Sequence, residues 1–130
     1  MMVGMKFSSI TIYGIRNCDS VRQARQWLSD QDVACQFHDF KTQGVPSDRL
    51  DHWLAVAGWE TLLNRKGTTW RKLDDATRGV ATDRASARAL MLAHPSVIKR
   101  PVVEWSGDGP TQVSVGFKPE DWLARLAPQR

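Results

Sequence analysis

A single cysteine stands in Ile15-Arg16-Asn17-Cys18-Asp19-Ser20, just past a short β-branched run and at the expected first turn of a helix. The nucleophile of cysteine chemistry is the thiolate, and a thiol with a pKa near ~8.5 holds little of it at neutral pH. A helix start shifts that balance. Its first backbone N–H groups lack an intrahelical acceptor, and with the positive end of the helix dipole they favour an anion, whether thiolate, oxyanion or carboxylate. Arg16 adds a positive charge two residues earlier. Cys18 is therefore expected to be a catalytic nucleophile in thiol–disulfide or oxyanion chemistry. The competing reading, a small buried residue at the end of the strand, is set aside on position alone.

The second cysteine reads differently. Cys35 lies between Val33 and Phe37 on one face of an expected strand, the usual setting of an inert core thiol. A disulfide needs Cα atoms within about 7 Å, which a residue above the first strand and one in the body of the second do not satisfy. There is no Cys-x-x-Cys motif either, because Val21 stands where the resolving cysteine would be. If Cys18 is oxidised in turnover, the second thiol must come from outside the chain. Among the cations, Arg65 and Lys66 lie in the loop Asn64–Gly67, and Lys118 precedes the last helix. Lys99-Arg100-Pro101 is more informative, since proline opening a strand beside charged residues suggests a tight turn aimed at a site. His38, His52 and His94 show no metal-ligand spacing and read as surface or helix-end residues, so neither a metal nor a bound cofactor is expected.

The elements that must position these groups follow from periodicity. Ser9–Tyr13 alternates and reads as a strand ended by Gly14. Val21, Ala24, Trp27 and Leu28 place a helix stripe in Arg16–Asp30, and Val33–Phe40 reads as a second strand. Joined by that helix, the two strands are expected to be parallel, with a right-handed crossover. Pro46-Ser47 opens a helix carrying Leu50, Trp53, Leu54 and Ala57; short helical pieces follow near Glu60–Leu63 and Arg71–Ala76. Thr82 and Asp83 cap a further helix, which Pro95 stops. Pro101–Trp105 and Thr111–Val115 form a hairpin around Gly107-Asp108-Gly109-Pro110, and Pro119 starts a last helix through Leu126. The expectation is one α/β domain over 1–130, with a core at about 9–127 and a helical insertion at about 46–95.

Composition narrows the class. The 130 residues are 42% hydrophobic and 25% charged, with six tryptophans, enough apolar area for a core without staples. The net charge of +4 comes from 18 basic and 14 acidic residues, interspersed rather than in blocks. That suits a small anionic or disulfide substrate better than nucleic acid, for which no motif is visible. Met1–Lys6 lacks the basic and apolar regions of a signal peptide, and no stretch approaches the ~18 apolar residues of a membrane span. A cytoplasmic protein, not membrane-bound, is expected, and nothing suggests more than a monomer.

These residues together resemble the arsenate reductase-like branch of the thioredoxin-like proteins. More narrowly, Tyr13-Gly14-Ile15-Arg16-Asn17-Cys18-Asp19-Ser20-Val21 followed by Ala24–Leu28 resembles the YffB subgroup, described as glutathione-dependent thiol reductases. Leu62–Gly67, His94-Pro95, Ile98–Val103 and Val115–Lys118 continue the match in order, over about residues 9–127. The resemblance implies a four-stranded mixed sheet with flanking helices and an all-helical insertion between the second and third strands. It also implies that Cys18 is the nucleophile, that Arg65 and Arg100 match two of the three anion-holding arginines, and that Pro101 is cis. Arg16, Arg65, Arg100 and Lys118 become the candidate anion- or glutathione-binding set, with Asn17 and Pro101 shaping the site. The third arginine appears as Lys118, which keeps the charge but loses the planar two-pronged grip. Asp19-Ser20 replaces the Gly-Thr usual after the cysteine in arsenate reductases. Both departures favour a thiol reductase, served by glutathione or a glutaredoxin, over an arsenate reductase. Spx-type regulators, which share the fold and contact RNA polymerase, are the non-enzymatic alternative.

Overall fold

The alternation in Ser9–Tyr13 extends in the computed structural model to strand β1, Phe7–Gly14, with Ile10, Ile12 and Tyr13 buried. Residues 7–107 and 109–126 are described; the signal-peptide reading of Met1–Lys6, the Asp108 position of the hairpin turn and the 127 end of the core lie outside them. The remaining elements are helix α1 (Asp19–Asp30), strand β2 (Gln36–Asp39), helices α2 (Phe40–Gln43), α3 (Ser47–Ala57), α4 (Trp59–Leu62), α5 (Thr68–Lys72), α6 (Asp75–Gly79) and α7 (Arg84–Ala93), a 3-10 turn Pro95–Val97, strands β3 (Val102–Gly107) and β4 (Gly109–Val115), and helix α8 (Pro119–Leu126). They fall into two compact units. One holds the described residues up to His38 and from Arg100 onward; the other is Asp39–Lys99.

In the first unit the four strands form a mixed sheet of order β2-β1-β3-β4. β1 and β3 are antiparallel, with Tyr13 opposite Val102, and β3 and β4 are antiparallel, with Val102 opposite Val115. Ile10, Ile12, Ala24, Leu28, Val103, Trp105, Trp122 and Leu126 make the apolar cluster beneath the sheet. Each fully buried large side chain there contributes roughly 1.5–3 kcal/mol relative to exposure. Trp122 is the hub: its ring lies 5.0 Å from Phe117, 5.4 Å from Trp105 and 5.9 Å from Trp27, edge-on in each case.

The bounds of α1 and β2 differ from expectation. α1 begins at Asp19 rather than Arg16, because Ile15–Cys18 is a turn closed by the Cys18 N–H donating to the Ile15 carbonyl at 3.1 Å. At its other end Asp32 takes a left-handed φ of 56°, which short polar side chains tolerate, and the Val33 N–H donates to the Leu28 carbonyl at 3.0 Å. Residues 33–35 then approach β2 without joining it, so the strand is shorter than predicted and Cys35 lies ahead of it. Phe40 leaves the strand because Asp39 accepts a hydrogen bond from the Lys41 N–H and caps a helical turn.

The second unit is helical. Leu50, Trp53 and Leu54 of α3, Leu62 and Leu63 at the end of α4, Ala87, Leu90 and Met91 of α7, and Val97 and Ile98 are among its buried residues. Leu63 and Ile98 form an antiparallel bridge, and the Lys99 N–H donates to the Leu62 carbonyl at 2.7 Å. The single piece expected at Arg71–Ala76 is two helices, parted by extended backbone at Leu73 and Asp74. Asp83 and Ser86 form a reciprocal cap on α7. Among the described residues no helix is long and apolar enough to cross a membrane.

Candidate functional site

The register of the sheet decides which loops meet. Tyr13, Val102 and Val115 are neighbours across β1, β3 and β4. The chain leaving β1, the chain entering β3 and the chain leaving β4 therefore emerge at one end of the sheet. Those three segments carry Cys18, Arg100 and Lys118. The Gly116 N–H donates to the Pro101 carbonyl at 2.8 Å, tying the last segment to the second. The Arg100–Pro101 bond is cis, as the resemblance implies.

Cys18 is the N-cap of α1, with extended backbone (φ −88°, ψ 128°), and its carbonyl accepts the first helical bond from the Arg22 N–H at 3.0 Å. The thiol is half-buried, neither sealed in the core nor free in solvent. Burial alone raises its pKa. Against that, the Val21 N–H, the Arg100 side chain through a hydrogen bond and its charge, and the Ser20 N–H all favour the thiolate, and the net pKa lies below that of an ordinary thiol. The sulfur does not cap the helix in ordinary hydrogen-bond geometry, but these N–H dipoles face it closely enough to act on its charge.

Gly14 makes this first turn possible. A Cβ there would sit 2.6 Å from Cγ2 of Val21, so only glycine lets the end of β1 approach the helix this closely. Val21 is fully buried. The position three residues after Cys18 therefore faces the interior, where it presents an apolar side chain rather than a second thiol.

The other candidates are placed as follows. Arg16 and Asn17 are exposed in the turn before Cys18, while Arg100 is half-buried and is the cation acting on the thiol. Lys118 is exposed, with its carbonyl accepting from the Trp122 N–H at 3.0 Å at the start of α8. Arg65 belongs to the second unit, exposed, with its guanidinium 5.5 Å from the Trp59 ring centroid. Two features escaped the sequence reading. Glu104 is buried within β3 and accepts a hydrogen bond from the Tyr13 hydroxyl at 2.9 Å, and the Tyr13 ring lies 5.2 Å from His38. The signal was available as a charged residue inside Val102-Val103-Glu104-Trp105. Cys35 packs with Val33 and Phe37 against the apolar cluster, as expected, but is not sealed there. It is half-buried, and burial pushes its pKa up against the opposing charge of Arg25. Among the described residues no cluster of His, Cys, Asp and Glu fits a metal ion.

A thiolate at a helix start beside a guanidinium attacks electrophilic sulfur or a held oxyanion. Known proteins share this arrangement of chain. The profile described as the ArsC family matches residues 13–125. A solved YffB protein is 48% identical, covers 92% of this chain and 100% of its own, and superposes with a TM-score of 0.83. An arsenate reductase (ArsC) related protein from Brucella melitensis is 50% identical over 90% of this chain and 93% of its own, with a TM-score of 0.68. The global transcriptional regulator Spx of Streptococcus mutans is 28% identical over 90% of this chain and 82% of its own.

Proposed function

The chain belongs to the ArsC family, and from that premise we propose that it is a cytoplasmic thiol-based reductase, dependent on glutathione, with Cys18 as its single nucleophile. The Cys18 thiolate attacks one sulfur of a substrate disulfide. The S–S bond breaks, the departing thiolate takes up a proton, and a mixed disulfide remains on Cys18. A glutathione thiolate then attacks the substrate sulfur of that mixed disulfide, freeing Cys18, and a second glutathione (or a glutaredoxin) completes the reduction of the substrate. Two thiols supply the two electrons. The reading is supported above all by Arg100 acting on Cys18 at the start of α1.

In this scheme Arg100 keeps the nucleophile ionised and, with Lys118, receives a carboxylate of glutathione or an oxyanion. Arg16 adds positive charge to the approach, and Asn17 and Pro101 hold the two loops in shape. Arg65 joins the set by its match to the family alone. The test is reduction of a small mixed disulfide by glutathione, coupled to glutathione reductase, with mapping of the adduct by mass spectrometry. Turnover that requires Cys18, with an adduct on Cys18 in the wild type, is the expected result; a Cys18→Ser variant that keeps the wild-type rate overturns it.

Reduction of arsenate at the same site is separated by arsenate-dependent oxidation of glutathione in the presence of glutaredoxin. A second reading, a regulator that contacts RNA polymerase, is favoured by the likeness to Spx. Capture of polymerase by the chain, with no glutathione turnover, decides for it.

A further inference from the structure

A groove of about 600 Å³ runs along the outer face of α1, between the helix and the chain that leads into β2. The helix contributes Arg22, Arg25, Gln26 and Ser29, and Cys35 and Phe37 face them. Its size is that of a small-ligand site. No Asp or Glu lines it, so both of its charges are positive. The Arg25 guanidinium lies 4.4 Å from the Phe37 ring centroid, a stack that steadies the cation without neutralising it, and no carboxylate pairs with Arg25 among the described residues. Arg22 pairs with Asp19, but both are well exposed, and an exposed pair of this kind is weak enough to exchange for a carboxylate of a ligand. Neither Cys18 nor Arg100 belongs to the groove.

We propose that this groove is a second ligand site, built for a disulfide whose arms carry carboxylates, and that Cys35 forms a mixed disulfide there. Arg22 and Arg25 pair with the carboxylates and hold the S–S bond over the Cys35 sulfur. The Cys35 thiolate attacks the nearer sulfur, the S–S bond breaks, and the far arm leaves as a thiolate that takes up the proton Cys35 has released. Cys35 ends oxidised to the mixed disulfide, and the departing sulfur is reduced. Burial keeps the thiol less ionised than an ordinary one, so the step is slow at neutral pH and quickens as pH rises.

The test uses the full chain carrying Cys18→Ser, which removes the other thiol and makes the outcome independent of the function assigned to Cys18. Three disulfides are compared: oxidised glutathione with anionic arms, hydroxyethyl disulfide with neutral arms, and cystamine with cationic arms. Adduct formation on Cys35 is followed by mass spectrometry at low salt, each rate divided by that of the same disulfide with a free thiol in solution. The expected order is anionic, neutral, cationic, with roughly tenfold or more between the ends. Arg22→Gln with Arg25→Gln brings the three normalised rates to within about twofold of one another, while the neutral disulfide also slows because Arg25 no longer favours the Cys35 thiolate. Should that variant fail to fold, the preference must instead shrink in the parent at about 0.5 M salt, where charges are screened beyond a few ångströms. Absence of any Cys35 adduct, equal normalised rates, or a preference that survives both loss of the arginines and salt overturns the proposal.

Discussion

Arg100 holds the Cys18 thiol below its ordinary pKa from across a strand pair, and it does so because β1 and β3 run antiparallel with Tyr13 opposite Val102. The residue that ends one strand and the residue that begins the other are thereby brought to one end of the sheet. Val21 and Ser20, whose N–H groups act on the same sulfur, are local to α1. The site thus joins a contribution built into the helix start with one that requires the sheet.

That division predicts two separable effects on the thiol. Alkylation of Cys18 by iodoacetamide, followed against pH, gives an apparent pKa below ~8.5 in the wild type. Arg100→Ala raises it and slows alkylation at neutral pH by several-fold, the share of a charge-assisted hydrogen bond worth about 1 kcal/mol once solvent exposure is discounted. Arg100→Lys restores part of the rate, because the charge remains while the fork is lost. An unchanged pH profile in Arg100→Ala would mean that the helix start alone sets the thiol.

The same shift has a thermodynamic counterpart. A thiol whose pKa is lower in the folded than in the unfolded chain binds fewer protons when folded, so its stabilising contribution is fully present above the unfolded value and is lost as pH falls through the folded one. The stability advantage of wild type over Cys18→Ser is therefore expected to grow as pH rises from about 6 toward about 9, as read from urea midpoints. Cys35 works in the opposite sense: its raised pKa makes the neutral thiol the favoured form, and stability is lost as pH rises above the unfolded value. Cys35→Ser isolates that term, and the two variants should diverge in opposite directions.

Gly14 gives a steric prediction. A methyl group there meets Val21 Cγ2 at 2.6 Å, so Gly14→Ala either strains β1 or displaces the first turn of α1. The expected cost is about 1–3 kcal/mol, with slower alkylation of Cys18 because the Val21 N–H moves with that turn. Val21→Ala in the same chain relieves the clash, and a double-mutant cycle on thermal midpoints should show favourable coupling between the two positions. Additive losses would place the strain elsewhere.

Much of this site was legible before any coordinates, but unequally. Cys18 at the end of a strand and start of a helix was read from local pattern, since alternation in Ser9–Tyr13 and the stripe Val21, Ala24, Leu28 are properties of neighbouring residues. The stripe marked a helix face but not its first residue. Arg16 and Asn17 are polar and carry no mark of the turn that the Cys18 N–H closes. The meeting of Cys18 with Arg100 depends on strand register between distant segments and entered only through the family resemblance. The face that Cys35 shares with Val33 and Phe37 was legible, but periodicity does not tell how completely that face is covered, and there it also lines a groove. Glu104 was passed over because its partner, Tyr13, lies 91 residues away.

In the second unit, the reciprocal cap at Asp83 and Ser86 should make the folding of that unit acid-sensitive. The Ser86 N–H and hydroxyl hold the Asp83 carboxyl below the usual carboxylate range. Such a group stabilises above its unfolded pKa, and the contribution is lost as pH falls through the lower folded value. Asp83→Asn keeps a capping oxygen but removes the titration, so its urea midpoint is expected to fall modestly at pH ~7 and to converge on wild type below pH ~3. A constant difference across that range would remove Asp83 from the acid response.

The buried Tyr13–Glu104 pair gives the most stringent test of the sheet that aligns Cys18 with Arg100. The 2.9 Å bond runs from Tyr13, in the last pair of the β1–β3 register at the end that carries the site, to Glu104 two residues further along β3, within an otherwise apolar stretch of Val102, Val103 and Trp105. Removing the donor costs the buried carboxyl a strong hydrogen bond, so Tyr13→Phe should lose about 1–3 kcal/mol although the ring is retained. Glu104→Gln keeps an acceptor of the same shape and should cost less. With both substitutions the loss should be smaller than the sum, because the two side chains share one hydrogen bond. Since the pair sits beside Val102 and Val103, Tyr13→Phe should also weaken the hold of Arg100 on the thiol and raise the Cys18 alkylation pKa, whereas a purely structural bond would change the thermal midpoint and leave the pH profile where it was.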